Sequence, residues 1–134
     1  MYALILALLL PLFEDTGDLT VRVSGCQTQK GQLYIALFDN KLSFPVFGKQ
    51  LRGEIVPLST GEQFTFKNLT PKKYAVAVFH DLNSNGVMDK NALGIPMEPY
   101  GFSNNVRNAF SAPSFEQASF AVHGKSQTIS IKVK

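Results

Sequence analysis

The chain has 134 residues, of which 45% are apolar and 17% are charged, and its formal net charge is +3. This length suits one domain of ordinary size, and the apolar content is too high for an intrinsically disordered chain. The basic residues are scattered and form no patch, which argues against nucleic-acid binding. A single cysteine excludes an intramolecular disulfide and any zinc site built from several cysteines.

An apolar run from Ala3 to Phe13 precedes the polar residues Glu14 to Gly17. The run is too short to cross a hydrocarbon core, which takes about 20 helical residues, but it has the length of a secretory signal core. We therefore predict a signal-like segment at 1–17, a single domain at 18–134, no transmembrane segment, and a secreted or periplasmic location. The run lacks a preceding positive charge and an Ala-x-Ala-like cleavage site, so a buried N-terminal strand or helix is the alternative interpretation.

Alternation of apolar and polar residues recurs along the rest of the chain. A period of two is typical of strands with one face on a core and the other in water. Other segments are apolar on both faces, as expected of central strands covered on each side. The alternating segments are Leu19–Val23, Phe64–Phe66 and Ile129–Val133, the doubly apolar ones are Leu33–Phe38 and Tyr74–Phe79, and shorter strands are predicted at Glu54–Leu58 and Phe115–Val122.

Seven short strands punctuated by glycine and proline predict an all-β fold, an antiparallel seven-stranded Greek-key β-sandwich with one long loop. A closed barrel is the alternative architecture. No segment after Phe13 keeps a helical apolar stripe for three turns. A short helix between Asn40 and Gln50 is the exception to consider, and Pro45 and Gly48 would keep it brief.

Side chains with reactive potential are few. Cys26 follows a lipobox-like Val23-Ser24-Gly25, but charged residues separate it from the apolar run, so we expect a small buried thiol at a strand end. His80 and His123 fall in strand positions and are interpreted as structural imidazoles. The sequence has no His-x-x-x-His spacing, and Ser103 lacks the second glycine of a nucleophile elbow. We therefore predict that the protein is not an enzyme.

The stretch between Phe79 and Phe115 has no regular pattern, and long structureless loops in compact domains are usually functional or held by something. It begins with Asp-x-Asn-x-Asn-Gly, the first half of a calcium-binding loop. Oxygens at alternate positions converge on one hard cation while Gly86 bends the chain around it. The spacing predicts a calcium site whose ligands are Asp81, Asn83, Asn85, Val87 through its carbonyl, and Asp89.

The match departs from an EF-hand in two ways. The twelfth position, which supplies a bidentate Glu in that motif, is Ala92, and the motif follows a strand where a helix would be needed. Glu98, beyond the turn at Gly94 and Pro96, is a candidate for closing the coordination sphere. Asn, Asp and Gly are also the residues of ordinary turns, so a plain turn without metal is an equal interpretation.

Farther along the same stretch, Tyr100 and Phe102 offer aromatic surface, and Asn104 and Asn105 offer side-chain amides. These four are the candidate binding residues, and the partner would be a glycan such as peptidoglycan, or another envelope protein. In the favoured interpretation the two rings instead fold back and plug the end of the sandwich.

Three blocks of the sequence carry a family resemblance: His80–Asp89, Gly94–Asn105 and Pro113–Phe120. Together they closely resemble a bacterial family known as domain of unknown function 2141, and the resemblance covers Leu19 to Lys134. It implies an exported single-domain protein of Gram-negative bacteria and brings no activity with it. The segment Phe66–Tyr74 and the turn after the next strand are loosely similar to prealbumin-like modules and to the B-type repeats of surface adhesins. This similarity implies a prealbumin- or immunoglobulin-like sandwich, a class used mostly for scaffolds, stalks and binding domains.

Overall fold

Eight strands, one short helix and two single 3₁₀ turns make up the regular structure of a computed structural model that describes residues 2–3 and 15–134. Most of the predicted signal-like segment therefore lies outside the described residues. No helix in the described part is long and apolar enough to cross a membrane. The elements are β1 (Gly17–Ser24), β2 (Gln32–Phe38), β3 (Arg52–Pro57), β4 (Gln63–Leu69), β5 (Lys72–Asp81), β6 (Tyr100–Phe102), α1 (Phe115–Ala118), β7 (Phe120–Val122) and β8 (Gln127–Lys132).

The strands form two sheets, which confirms the predicted β-sandwich. One sheet has the order β4-β1-β8, and the other has the order β3-β2-β5-β6, with β7 pairing to the first residues of β5. The doubly apolar segments are the central strands β2 and β5, as predicted. Two details of the prediction are wrong: the structure has eight strands where seven were predicted, and β1 and β8 run parallel to each other.

Alternation along the strands builds the main core between the sheets. Leu19 and Val21 of β1 face Ile35 of β2 and Val78 of β5, and all four are fully buried. The opposite face of β2 and β5 carries small residues such as Ala36 and Ala77. Aromatic side chains from the connecting loops pack there and form a second, smaller core that includes Phe38, Phe44, Phe102 and Ala118. The five-stranded sheet is therefore covered on both sides.

Two local predictions are corrected by side-chain bonds to the backbone. Residues between Asn40 and Gln50 form turns, because the Asn40 side-chain oxygen accepts the N–H groups of Leu42 and Ser43 and closes the chain on itself. The predicted strand Phe115–Val122 is helical in its first half, since Ser114 and Gln117 form a capping box, and only Phe120–Val122 is extended.

The irregular stretch after β5 contains one strand that sequence analysis missed, β6, whose Gly101 pairs with Val78. The N–H groups of Tyr100 and Lys134 donate to each other's carbonyl oxygens, both at 3.1 Å. Such a mutual exchange is an antiparallel pair, and it joins β6 of one sheet to the strand that continues β8 of the other. Among the described strands no ladder joins β3 to β4, so the structure is a sandwich with one joined edge and not a closed barrel.

Candidate functional site

The candidate site is the loop of residues 82–99, which connects β5 to β6. In the pairing of β2 with β5, Gln32 lies opposite Asp81 and Phe38 lies opposite Ala75. The loop that follows Asp81 and the loop that follows Phe38 consequently leave the sheet at opposite ends. The predicted calcium motif belongs to the Asp81 end, whereas Tyr100 and Phe102 of β6 lie opposite Phe79 and Ala77, farther along β5.

Asp81 is fully buried, and the first half of the loop is wrapped around its carboxylate. Its Oδ2 accepts the Gly86 N–H at 2.7 Å and the Gln32 side-chain amide at 2.9 Å, and its Oδ1 accepts the Asn85 N–H at 3.2 Å. Gly86 has φ of 79°, a left-handed conformation that glycine adopts without strain. Asp81 thus accepts hydrogen bonds from loop N–H groups that have no partner in a neighbouring strand.

Glu98 also accepts hydrogen bonds from the backbone N–H groups of the loop. Its side chain is only 5% exposed, and its two oxygens accept the N–H groups of Leu82 at 2.6 Å and Asp89 at 3.0 Å. Burial raises the pKa of Glu98 above its ordinary value, and the charges of Asp81 and Asp89 raise it further, although the two N–H bonds act in the opposite direction. Three carboxyl groups are therefore close enough to influence one another within one loop.

Asp89 is bonded to side chains of the predicted motif. The amide nitrogen of Asn83 donates to it at 2.8 Å, and the amide nitrogen of Asn85 donates at 2.9 Å. These bonds hold the pKa of Asp89 below its usual range. The loop brings Asn83, Asn85 and Asp89 of the predicted ligands together, yet the two asparagines turn nitrogen, not oxygen, towards Asp89. In the part of the chain that the structure describes, no three His, Cys, Asp or Glu side chains form a metal-binding group.

Residues 89–97 form a small hairpin that closes the loop. Its two arms are joined by a bridge between Lys90 and Pro96 and by a hydrogen bond of 2.7 Å from the Met97 N–H to the Asp89 carbonyl. The Asn91 side-chain oxygen accepts the N–H groups of Leu93 and Ile95 at the turn. Sequence analysis missed this role of Asn91, although an asparagine three residues before a glycine is a recognisable turn signal.

The four predicted binding residues differ in how deeply they are buried and in which groups they contact. Phe102 is 8% exposed and belongs to the second core, where its ring contacts that of Phe44. Tyr100 is half-buried, with the Arg107 guanidinium 4.1 Å from its ring centre. The amide of Asn104 donates to the carbonyls of Gln117 and Ser119, and the side-chain oxygen of Asn105 accepts the Lys132 N–H. Phe102 thus plugs the sandwich, and both amides already bind backbone.

The remaining reactive groups are held in structural positions. His80 is fully buried and donates from Nε2 to the Lys30 carbonyl at 2.7 Å, whereas His123 is exposed just beyond β7. The Ser103 hydroxyl is buried, accepts the Val76 N–H at 2.9 Å and donates to the Ala118 carbonyl. Cys26 packs partly buried against the main core, and burial raises the pKa of its thiol.

Replacing Glu98 with Gln retains the shape of the side chain but leaves an NH₂ where an acceptor is needed. Either the Leu82 or the Asp89 N–H then loses its partner, and we expect the free energy of unfolding to fall by about 1–3 kcal/mol. Glu116→Gln, on the exposed face of α1, should change it by less than about 0.5 kcal/mol. Urea unfolding of both variants measures the difference, and equal losses would contradict this role of Glu98.

The penalty of Glu98→Gln should also depend on pH. Because the folded-state pKa of Glu98 is raised, the folded protein binds more protons than the unfolded chain between the two pKa values. The stabilisation that Glu98 provides is therefore fully present below its ordinary value of 4.5 and declines as the pH rises through the folded-state pKa. Urea unfolding should show a larger penalty at about pH 4 than at about pH 7.

Phe102→Ala should lower the free energy of unfolding by about 3–5 kcal/mol, as expected when a buried aromatic side chain is removed. Tyr100→Ala should lower it by only about 1–2 kcal/mol because part of that ring is in solvent. Phe110→Ala is the matched control, since Phe110 is fully exposed. Losses below about 1 kcal/mol for both Phe102 and Tyr100 would mean that the two rings form a surface and not a plug.

Comparisons with known proteins agree with the family resemblance. No curated protein matches the sequence. Two structures of the pilus-presented adhesin Spy0125 (Cpa) are similar at 18% and 17% identity and a TM-score of 0.35, covering 91% and 89% of this chain. The chain spans only 27% of that adhesin's length, and the likeness is too distant to inform fold or function. The family model described as "Uncharacterized protein conserved in bacteria (DUF2141)" matches residues 21–130, and the chain therefore belongs to this family, as predicted.

Proposed function

We propose that this protein is an exported, non-enzymatic β-sandwich module whose 82–99 loop is stabilised by weak calcium binding. The observation that carries this function is the gathering of Asp81, Asp89 and Glu98 in one loop, where the pKa of Glu98 is raised partly by the other two charges. A divalent cation beside Asp89 would reduce that repulsion. Hard cations of this kind prefer carboxylate, amide and carbonyl oxygens.

Calcium would replace the two amide N–H donors that now satisfy Asp89. Turning the terminal amides of Asn83 and Asn85 by half a rotation exchanges nitrogen and oxygen at nearly the same positions. The cation must then offset the loss of the hydrogen bonds that these oxygens now accept from the Val87 and Asn85 N–H groups, at 3.1 and 3.4 Å. Their oxygens would then face the cation together with the Asp89 carboxylate and the Val87 carbonyl. Asp81 is more deeply buried than Asp89. Its Oδ1 accepts one hydrogen bond, from the Asn85 N–H, so this oxygen could also bind the cation.

The non-enzymatic part of this function is supported by the positions of the reactive groups. Ser103 is enclosed between β5 and α1, and its hydroxyl binds backbone groups on both. His80 lies in the core, bonded to a backbone carbonyl, and the thiol of Cys26 has a raised pKa that disfavours the thiolate. None of these three side chains has the nucleophile and base arrangement of a covalent catalyst.

A glycan-binding module is the alternative function. It retains one supporting feature, a surface groove of about 340 Å³ whose walls include Tyr100, Arg107 and Lys134. It has less support than the calcium-stabilised loop because Phe102, Asn104 and Asn105 are engaged within the fold. A glycan or cell-wall pull-down that is lost in Tyr100→Ala, with folding intact, would favour this alternative.

We expect calcium to raise the melting temperature of the protein. A site with few carboxylates binds weakly, with a dissociation constant of about 0.1–1 mM. About 2 mM calcium then adds roughly 0.6–1.8 kcal/mol to the free energy of unfolding. For a domain of this size, this is a shift of a few degrees and at most about 9 °C. Thermal melts in chelator and in calcium measure it.

Asp89→Asn should abolish the shift, because it removes the accessible charge while keeping the shape of the side chain. The control is Asp39→Asn, since Asp39 follows β2 at the opposite end of the sheet and forms an ion pair of 2.9 Å with Lys72. Magnesium should have a smaller effect than calcium because it requires tight octahedral geometry. If several millimolar calcium leaves the wild-type melt unchanged, the loop is a turn without metal.

Export predicts that the mature protein lacks the apolar run from Ala3 to Phe13. Intact-mass measurement of protein recovered from the periplasm or medium of a bacterial host should give a mass without this segment. A mass that still includes Met1 would contradict export through cleavage of residues 1–17.

A further inference from the structure

The 82–99 loop exposes several large apolar side chains, although its inside is polar. Five large apolar side chains of this segment are exposed, from 40% at Leu82 to 84% at Leu93. Dispersed single apolar residues are ordinary on protein surfaces, whereas several on one short loop indicate an interaction site. We call this set the apolar loop face: Leu82, Val87, Leu93, Ile95 and Met97.

The loop backbone fixes these side chains in their outward positions. Asp81 and Glu98 fill the inside of the loop and accept hydrogen bonds from its own N–H groups. An apolar side chain turned inward would have to displace one of these buried acceptors and leave backbone donors unsatisfied. The apolar loop face is therefore a built feature of the loop, present before any partner arrives.

Cations lie beside the Ile95 and Met97 part of the apolar loop face. Ile95 and Met97 line one groove together with Arg107 and Lys134, and Lys90 stands opposite Pro96 in the hairpin. The ion pair found in the described part of the chain, Lys72 with Asp39, involves none of these three cations, and the Arg107 guanidinium donates to the carbonyls of Tyr100 and Lys134. The acidic side chains of the loop are instead buried or bonded to its own amides. The exposed charge beside Ile95 and Met97 is thus positive.

We propose that the apolar loop face docks on an anionic lipid surface. Apolar side chains that enter the boundary of a bilayer, with Lys and Arg at the level of the headgroups, are the usual arrangement of peripheral membrane-binding segments. Lys90, Arg107 and Lys134 supply the charge that complements such a surface. This interaction goes beyond the calcium-stabilised loop and takes place in chelator as well.

The chain contains no tryptophan, so one introduced tryptophan reports its own surroundings. Leu93→Trp places the reporter on the apolar loop face, and Leu42→Trp places a control at an equally exposed position in the loop at the opposite end of the sheet. Each full-length variant is mixed, in chelator, with vesicles of phosphatidylcholine alone or with about one third phosphatidylglycerol. The fluorescence of Leu93→Trp should shift to shorter wavelength and be quenched by brominated acyl chains, only with the anionic vesicles. Leu42→Trp should not respond.

This position-specific signal distinguishes docking of the loop from attachment through the apolar run Ala3–Phe13. In the Leu93→Trp background, Lys90→Gln or Lys134→Gln should each weaken vesicle binding about fivefold. Lys73→Gln, an exposed lysine in the first residues of β5 at the other end of the sheet, should leave it unchanged. Replacing Ile95 and Met97 together with Ser should weaken binding at least about tenfold, because their insertion is lost. Thermal melts confirm that each variant is folded.

Three results would overturn docking on lipid. The first is that Leu93→Trp shows no shift with anionic vesicles, or shifts equally with neutral ones. The second is that the Ile95 and Met97 replacements leave vesicle binding unchanged, which would make the attraction purely electrostatic. The third is a shift that appears without vesicles as protein concentration rises, which assigns the apolar loop face to a second copy of the chain. Val87→Trp, at a 58% exposed position, replaces Leu93→Trp if that variant does not fold.

Discussion

Two buried carboxylates, Asp81 and Glu98, supply the hydrogen-bond acceptors on which the long loop depends. Where β5 ends, the chain leaves the sheet, and its backbone N–H groups lose the partners that a neighbouring strand would provide. Asp81 accepts the N–H groups of Asn85 and Gly86, and Glu98 accepts those of Leu82 and Asp89. Burying a carboxylate is unfavourable, and burial together with the neighbouring charges of Asp81 and Asp89 raises the pKa of Glu98, although the two N–H bonds act in the opposite direction.

This arrangement determines what the loop presents to its surroundings. With the acceptors inside, side chains such as Leu93 and Met97 are exposed, and the carboxyl groups of Asp81, Asp89 and Glu98 are held in one loop. The proposed calcium site and the exposed apolar side chains would therefore both follow from one hydrogen-bond requirement. The rest of the sandwich, with its covered sheet and enclosed Ser103 and His80, serves as the rigid support for this one end.

Sequence analysis identified the features that depend on local periodicity. The alternation of apolar and polar residues predicted which face of β1 and of β8 is buried, and the doubly apolar segments predicted that β2 and β5 are central strands. It did not find β6, because three residues after two prolines show no alternation, or α1, because Phe115, Ala118 and Phe120 are as compatible with a strand as with one helical turn. The parallel pairing of β1 with β8 joins distant parts of the chain and has no local signal.

In the candidate site, residue spacing predicted which side chains meet but not which atoms they present. Asn83, Asn85 and Asp89 do converge, yet the choice between amide nitrogen and amide oxygen depends on what else occupies the site. Gln32 donates to Asp81, and Glu98 accepts the Leu82 N–H. Only the fold brings these residues together, so spacing in the sequence could not predict either bond. The burial of Phe102 depends on Phe44, which comes from the loop after β2, at the opposite end of the sheet.

Gly101 sets the distance between the two sheets at their joined edge. A Cβ atom there would lie only 2.5 Å from the Lys132 carbonyl oxygen, so the absence of a side chain is what lets β6 approach β8. The 82–99 loop is attached on one side to β5 and on the other to β6, next to this contact. Because β5 and β6 are neighbours in one sheet, sliding of one sheet over the other leaves the separation of the loop's attachment points unchanged but disrupts the exchange between Tyr100 and Lys134. The close approach at Gly101 therefore fixes the position of the loop's β6 end relative to the three-stranded sheet, and a larger residue there would displace that end of the loop.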